Sequence, residues 1–150
     1  MLAILDNHSK IKAVPYESHI FYKSIFAKIK KFNEWNRMTI LSGKSRWAEK
    51  TPLHIYKIEE IYRFFPHAQI ILLLRDGRDV ACSLRARAKN YERGVEYGAT
   101  RWVKDNHAGQ VYCSNGQVLV IKYEDLVHNM YHILRIVFEF LGESFEPEFV

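Results

Sequence analysis

The sequence predicts an α/β fold built on parallel β-strands. Two apolar runs have the length of buried strands, Ile-Ile-Leu-Leu-Leu at residues 70–74 and Val-Leu-Val-Ile-Lys at residues 118–122. Segments whose apolar residues recur at helical spacing lie before, between and after these runs. Strands that alternate with helices are typical of βαβ units, in which the strands run parallel.

Residues 1–43 are predicted to form a helical N-terminal segment. Its main helix covers residues 17–36, and lysines are interspersed along it. Because charged runs on helices usually face water, these lysines indicate a solvated face, and we expect no nucleic-acid partner. A turn at residues 43–45 leads into a short strand at residues 46–50. The predicted apolar stripe of the helix consists of Tyr22, Ile25, Phe26, Ile29 and Phe32.

A second helix and a second strand follow. The helix over residues 54–65 comes after Pro52, which suits a first helical turn, and Thr51, which can cap the helix. The strand over residues 69–74 comes next. The helix over residues 77–87 begins directly behind that strand.

Two aspartates near the start of this helix have a structural explanation. Asp76 stands at the capping position, and Asp79 stands three residues later, as in a capping box. We therefore assign neither of them a catalytic role.

The C-terminal part is predicted to contain one more strand and two more helices. Residues 90–98 form a polar loop, and residues 100–113 form a helix that Trp102 anchors. The strand over residues 118–122 is followed by a helix over residues 128–141. The core face of this last helix consists of Met130, Leu134, Val137 and Leu141.

The composition limits the class of protein. The 150 residues are 48% hydrophobic and 14% aromatic, which is enough for one domain with a core. A net charge of +5 suits an anionic ligand. Cys82 and Cys113 are too few for a disulfide framework, and Cys82 is predicted to be a small buried thiol. No apolar run approaches the length of a membrane span and residues 1–5 are too short for a signal-peptide core, so we expect a cytoplasmic protein.

Arg75 and Ser83 are the strongest candidates for a ligand site. Arg75 stands at the carboxyl end of a predicted strand, where ligands bind in open α/β sheets. Its planar guanidinium suits phosphate or sulfate. Ser83, about two turns into the next helix, can add a hydroxyl to the same anion, and Arg87 one turn later is a third candidate.

Arg75 and Ser83 at this spacing resemble the 3′-phosphate-binding element of sulfotransferases, which use 3′-phosphoadenosine 5′-phosphosulfate as the sulfuryl donor. Residues 46–52, Arg-Trp-Ala-Glu-Lys-Thr-Pro, are similar to the Trp-x-x-Lys-Thr-Pro segment of the largely bacterial branch of that family. Residues 118–126, ending in Lys-Tyr-Glu-Asp-Leu, are similar to a later strand of the family. The order of these segments also resembles tyrosylprotein sulfotransferases, and the resemblance covers residues 44–145.

The resemblance implies a three-layer parallel sheet of the P-loop nucleotide-kinase-like type. It implies transfer of a sulfuryl group to a hydroxyl or amine of a small-molecule, carbohydrate or peptide acceptor, with no metal. Arg75, Ser83 and Tyr123 would bind the nucleotide. Lys50, which matches the catalytic lysine of the tyrosylprotein enzymes, would be the catalytic residue. No residue is assigned as the general base.

One element of the family has no match here. Sulfotransferases open with a strand and a Gly/Ser/Thr-rich loop that wraps the 5′-phosphosulfate, and no such segment precedes Trp47. The nearest candidate is Ser-Gly-Lys-Ser at residues 42–45, but Met38 stands where a Walker A loop has its first glycine, so a turn is preferred. We therefore expect residues 1–150 to be a partial sulfotransferase domain, incomplete at the N-terminus and lacking the phosphate-loop strand. Such a chain is expected to transfer little sulfate by itself.

Other functions stay open at this point. One alternative is a P-loop kinase-like nucleotide enzyme, and another is a non-catalytic remnant that binds nucleotide or a partner. His128 and His132 have the spacing of two metal ligands on one helix face, but the sequence offers no third ligand near them.

Overall fold

The computed structural model describes residues 1–87 and 94–149, and it divides into two compact units. The first unit contains residues 1–64 together with the C-terminal residues from 146 onward, and the second contains residues 65–145. Each unit has one pair of parallel strands and several helices. The predicted α/β class with parallel strands is therefore confirmed.

The first unit is built on the strands β1 and β2, which pair in parallel with Ile11 opposite Arg46 and Ala13 opposite Ala48. Three short 3-10 helices also belong to this unit, at Ile20–Tyr22, Pro52–Lys57 and Pro147–Phe149. Its regular elements in chain order are α1 (Leu2–Asn7), β1 (Ile11–Ala13), α2 (Ile25–Leu41), β2 (Arg46–Ala48) and α3 (Ile58–Phe64).

The strand β1 lies within the segment that the sequence predicts to be helical. The carboxylate of Asp6 accepts the N–H of Ala13 at 2.7 Å, and the N–H of Val14 donates to the Ala48 carbonyl at 2.8 Å. The second of these contacts joins residues far apart in the chain. A strand of three residues is also too short to show alternation, so the sequence pattern carries no signal for it.

The helix α2 begins eight residues later than predicted and buries a different face. Its N-terminus is capped by Ser24, whose hydroxyl accepts the N–H of Ala27 at 3.4 Å. The predicted stripe is wrong except for Phe32, and Phe26 is 81% exposed. Lys28 can occupy a buried position because its ammonium pairs with Glu60 at 2.7 Å. The buried residues of α2 are Lys28, Phe32, Trp35 and Thr39.

The second unit is built on β3 and β4, which pair in parallel with Ile70 opposite Val118 and Leu74 opposite Lys122. Both predicted strands are confirmed. The elements of this unit in chain order are β3 (Ile70–Leu74), α4 (Gly77–Arg87), α5 (Val95–Gln110), β4 (Val118–Lys122), α6 (Tyr123–His128) and α7 (Met130–Leu141).

Three local predictions for this unit need correction. Residues 90–93 of the predicted loop at residues 90–98 lie outside the described residues. Its last four residues belong to α5, which begins at Val95. The predicted helix over residues 128–141 is α7, which begins at Met130, and the short helix α6 directly before it is not predicted from the sequence. Cys82 is exposed, because the buried position on that turn of α4 is taken by Ala81.

No helix among the described residues combines the length and the apolar character that crossing a bilayer requires. Within residues 1–87 and 94–149, no group of three or more His, Cys, Asp or Glu side chains is arranged to hold a metal ion. The pair His128 and His132 therefore gains no third ligand from this part of the chain.

Candidate active-site residues

Arg75 stands directly after β3, as predicted, and its guanidinium lies over an aromatic ring. The guanidinium carbon is 4.8 Å from the centre of the Tyr123 ring, and Nη2 is 3.3 Å from Oδ2 of Asp79. The Nε atom is buried and has no hydrogen-bond partner among the described residues. The side chain as a whole is 38% exposed. Arg75 thus has a fixed plane and unused donor capacity, which is what recognition of an oxyanion requires.

The two residues that follow Arg75 are fixed by hydrogen bonds. Asp76 caps α4 as predicted, since its carboxylate accepts the N–H of Arg78 at 2.8 Å. Hydrogen bonds from the Arg78 guanidinium and N–H hold the pKa of Asp76 at about 2. The N–H of Asp76 donates to Glu124 at 2.9 Å, and this bond is the main cause that lowers the pKa of Glu124. Asp79, by contrast, turns its carboxylate toward Arg75, so the capping-box prediction for it is wrong.

Ser83 lies one helical turn after Asp79 and therefore on nearly the same face of α4. Asp79 contacts Arg75, so this face is the one that meets the guanidinium. Ser83 is half-buried. The side chain of Arg87, the third candidate, lies outside what the structure describes.

Trp102 is a further contact of this turn that the sequence does not reveal. Its Nε1 donates to the carbonyl of Arg75 at 2.8 Å. Its ring lies against Gly77, where an added Cβ would stand 3.0 Å from Cδ2 of the indole. The sequence predicts Trp102 only as a helix anchor, because a bond between residues 27 positions apart leaves no local pattern.

Lys50 belongs to the first unit, two residues beyond β2. Its ammonium pairs with the carboxylate of Glu17, and the side chains of Lys50 and Glu17 are 54% and 43% exposed. His19 lies near the same carboxylate, with Nε2 3.9 Å from Oε2 of Glu17. The sequence pattern predicts Glu17 only as the start of a helix, and in the structure that helix starts eight residues later.

A buried carboxylate holds the two segments that carry Glu17 and Lys50. Glu49 accepts hydrogen bonds from the hydroxyls of Ser18 at 2.7 Å and Thr51 at 2.5 Å, and it lies 3.0 Å from Nδ1 of His54. Burial alone would raise the pKa of Glu49, but the bonds from His54, Thr51 and Ser18 outweigh it and lower the pKa. We call Ser18, Glu49, Thr51 and His54 the Glu49 cluster.

The segment at residues 42–45 is a helix end, as the sequence analysis prefers. Ser42 donates its hydroxyl to the carbonyl of Thr39 at 2.8 Å, and Gly43 has a φ of 71°. Lys44 donates to the carbonyl of Ile11 at 2.9 Å. This pattern is a C-terminal helix cap rather than a phosphate loop.

Comparison with known proteins gives a consistent family assignment. The model of the sulfotransferase family matches residues 3–147. A sulfotransferase from Alicyclobacillus acidocaldarius has a similar structure, with a TM-score of 0.67 and 17% identity over 98% of this chain and 81% of that chain.

A second similar structure is the sulfotransferase domain from the curacin biosynthetic pathway. Its TM-score is 0.69, with 17% identity over 98% of this chain and 70% of that chain. No curated protein sequence matches significantly. Because the family model spans nearly the whole sequence, this chain belongs to the sulfotransferase family.

Proposed function

We propose that this chain binds 3′-phosphoadenosine 5′-phosphosulfate and serves the transfer of its sulfuryl group to a hydroxyl or amine. The observation that carries the proposal is Arg75, a partly exposed guanidinium at the carboxyl end of β3 whose buried Nε has no hydrogen-bond partner within residues 1–87 and 94–149. A strand-end arginine of this kind suits a phosphate, because its fork of donors matches two phosphate oxygens. The family resemblance supports the three-layer P-loop-like sheet that would carry such a site.

In this proposal the second unit binds the 3′-phosphate of the nucleotide. Arg75 provides the charge, and Ser83 on the adjoining face of α4 adds a hydroxyl. The ring of Tyr123 supports the guanidinium from one side, which keeps its donors in one plane. A nucleotide without a 3′-phosphate offers Arg75 no anionic group beyond the Asp79 carboxylate that it already contacts, so the site selects the bisphosphate form.

Lys50 and Glu17 are the groups that we propose to act on the transferred sulfuryl. The donor supplies an activated sulfate, whose sulfur forms a bond to the acceptor oxygen or nitrogen while its bond to the bridging phosphate oxygen breaks. Lys50 neutralises the negative charge that develops on that leaving oxygen. The pairing of Lys50 with Glu17 supports a role for this carboxylate as the general base that takes the proton of the acceptor.

A titration with three nucleotides tests the proposal. Adenosine 3′,5′-bisphosphate should stabilise the chain against heat more than AMP or ATP at equal concentration, because only the bisphosphate offers Arg75 a 3′-phosphate. Equal stabilisation by ATP would contradict the proposal and favour a kinase-like enzyme. Stabilisation by none of the three would favour a protein that does not bind nucleotide.

A further inference from the structure

The helices α4 and α5 of the second unit pack together at two glycines. A Cβ on Gly98 would stand 2.6 Å from the Cα of Ala81, and a Cβ on Gly77 would stand 3.0 Å from the Trp102 ring. A Cβ on Gly98 would overlap the Ala81 backbone, and a Cβ on Gly77 would push the Trp102 ring away by a few tenths of an ångström, so the closeness of the two helices depends on both positions. Gly77 and Ala81 are four residues apart, as are Gly98 and Trp102, and the pairs meet in reversed order. The two helices are therefore antiparallel along this seam.

At this contact between α4 and α5, the side chain of Trp102 lies next to the end of β3. Its indole N–H donates to the Arg75 carbonyl at 2.8 Å, while its ring covers the backbone of Gly77. One side chain thus fixes the backbone on both sides of Asp76. When an indole is buried, its N–H usually donates a hydrogen bond to a nearby acceptor. Here the partner is the main chain of the residue whose side chain is proposed to bind phosphate.

We infer that Trp102 is a positioning residue of the 3′-phosphate site, and this inference rests on the proposed function. Arg75 has a long side chain, and the direction of its guanidinium depends on the orientation of the strand-end backbone. The ring of Tyr123 supports the far end of the side chain. Trp102 holds the near end by fixing the carbonyl of the same residue. Loss of that bond should loosen Arg75 without removing any atom that contacts the ligand.

The substitution Trp102→Phe separates the hydrogen bond from the packing. Phenylalanine keeps an aromatic ring against Gly77 but lacks the N–H that Arg75 accepts. Calorimetry should show binding of adenosine 3′,5′-bisphosphate that is weaker by up to about fivefold, because the free energy of one hydrogen bond sets the upper limit of what a loss of positioning can cost. Unchanged affinity in a folded variant would overturn the inference.

A double-mutant cycle distinguishes positioning from a general loss of stability. If Trp102 acts through Arg75, Trp102→Phe should cause no further loss of bisphosphate affinity in a protein that already carries Arg75→Ala. An equal loss of affinity in both backgrounds would show that Trp102 supports the fold in general, which overturns the inference. The matched control is Trp35→Phe, an indole in the first unit that donates to the Tyr16 hydroxyl at 3.4 Å and should leave bisphosphate affinity unchanged.

A second variant covers the case in which Trp102→Phe does not fold. Gly77→Ala places a methyl group 3.0 Å from the Trp102 ring, so the indole must shift by a few tenths of an ångström and its bond to the Arg75 carbonyl should lengthen, with a smaller loss of bisphosphate affinity than in Trp102→Phe. Full affinity in Gly77→Ala would count against the inference. A failure of the proposed function would be seen in a different measurement, because the wild-type chain itself would then not prefer the bisphosphate to AMP. If the wild type prefers the bisphosphate and both variants bind it with full affinity, only the inference about Trp102 is wrong.

Discussion

Lys50 and Glu17 form an ion pair although 33 positions separate them in the sequence. Their neighbours are joined by buried hydrogen bonds, from Ser18 to Glu49 and from the N–H of His19 to Thr51. Since neighbouring side chains of an extended segment point to opposite sides, Glu49 and Thr51 face inward while Lys50 faces solvent. The hydrogen bonds of the Glu49 cluster therefore bring Lys50 and Glu17 together as an exposed ion pair.

Lys50→Ala should separate stability from function. Both members of the Lys50–Glu17 pair are about half exposed, so its loss should change the free energy of unfolding by less than about 1 kcal/mol. Any sulfuryl transfer by the wild type should fall by at least about 100-fold, because the charge on the leaving oxygen is no longer neutralised. Urea unfolding and a labelled-donor assay measure the two effects.

The matched control for Lys50→Ala is Lys31→Ala. Lys31 pairs with Glu34 at 2.8 Å in the same unit, so the variant removes an equivalent surface charge pair. Transfer should be unaffected in this control. A comparable loss of transfer in both variants would count against a specific role for Lys50.

Glu49→Gln should destabilise the chain by about 1–3 kcal/mol at pH 7, because an amide cannot accept all the bonds that the buried carboxylate accepts. The pKa of Glu49 is lowered below its ordinary 4.5 in the folded state. Its ionised form therefore stabilises the fold above that value, and the contribution is lost as the pH falls through the lowered pKa. The difference in the free energy of unfolding between the wild type and Glu49→Gln should become smaller as the pH falls from 7 to 3.

Urea unfolding at these two pH values tests the prediction for Glu49. Glu59→Gln is the control, since Glu59 is exposed and its loss should change stability little at either pH. A difference between wild type and Glu49→Gln that stays constant with pH would mean that the ionised carboxylate is not what stabilises the Glu49 cluster.

Asp79→Asn should strengthen the binding of adenosine 3′,5′-bisphosphate by about two- to fivefold. The Asp79 carboxylate lies 3.3 Å from the Arg75 guanidinium, so it competes with the phosphate for the same donors. The control is Asp105→Asn, which breaks the similar pair of Arg101 and Asp105 on α5. Weaker binding in calorimetry after Asp79→Asn would show that the carboxylate orients Arg75 rather than competing with the ligand.

Tyr123→Leu should weaken bisphosphate binding by about three- to tenfold, because the guanidinium of Arg75 loses the ring beneath it. Tyr123→Phe keeps the ring and removes only the hydroxyl, so its affinity should stay close to that of the wild type. If titration shows that Phe and Leu weaken binding equally, the hydroxyl rather than the ring is the important group.

The elements that the sequence predicts well are those with strong local signals. The strands β3 and β4 are continuous apolar runs, and α4 begins at a capping aspartate behind an abrupt strand end. These features depend on residues close together in the chain. Arg75 at the strand end follows directly from them.

The features that the sequence does not predict depend on distant partners. Lys28 is buried because Glu60 neutralises it, and this reverses the exposed and buried faces of α2. Glu17 meets Lys50, and Trp102 meets Arg75, only after the chain has folded. Gly98 lies near the start of α5 at the closest approach of the two helices, but the polar residues around it predict a loop.

Calorimetry of adenosine 3′,5′-bisphosphate binding to the wild type and to Arg75→Ala tests the central claim most directly. Arg75→Ala removes a charge-assisted hydrogen bond worth about 1.5–3 kcal/mol, so the affinity should fall more than about tenfold. Circular dichroism should show the same folded content in both proteins, since the guanidinium is partly exposed. Equal affinity of the two folded proteins for the bisphosphate would contradict the assignment of Arg75 to the 3′-phosphate.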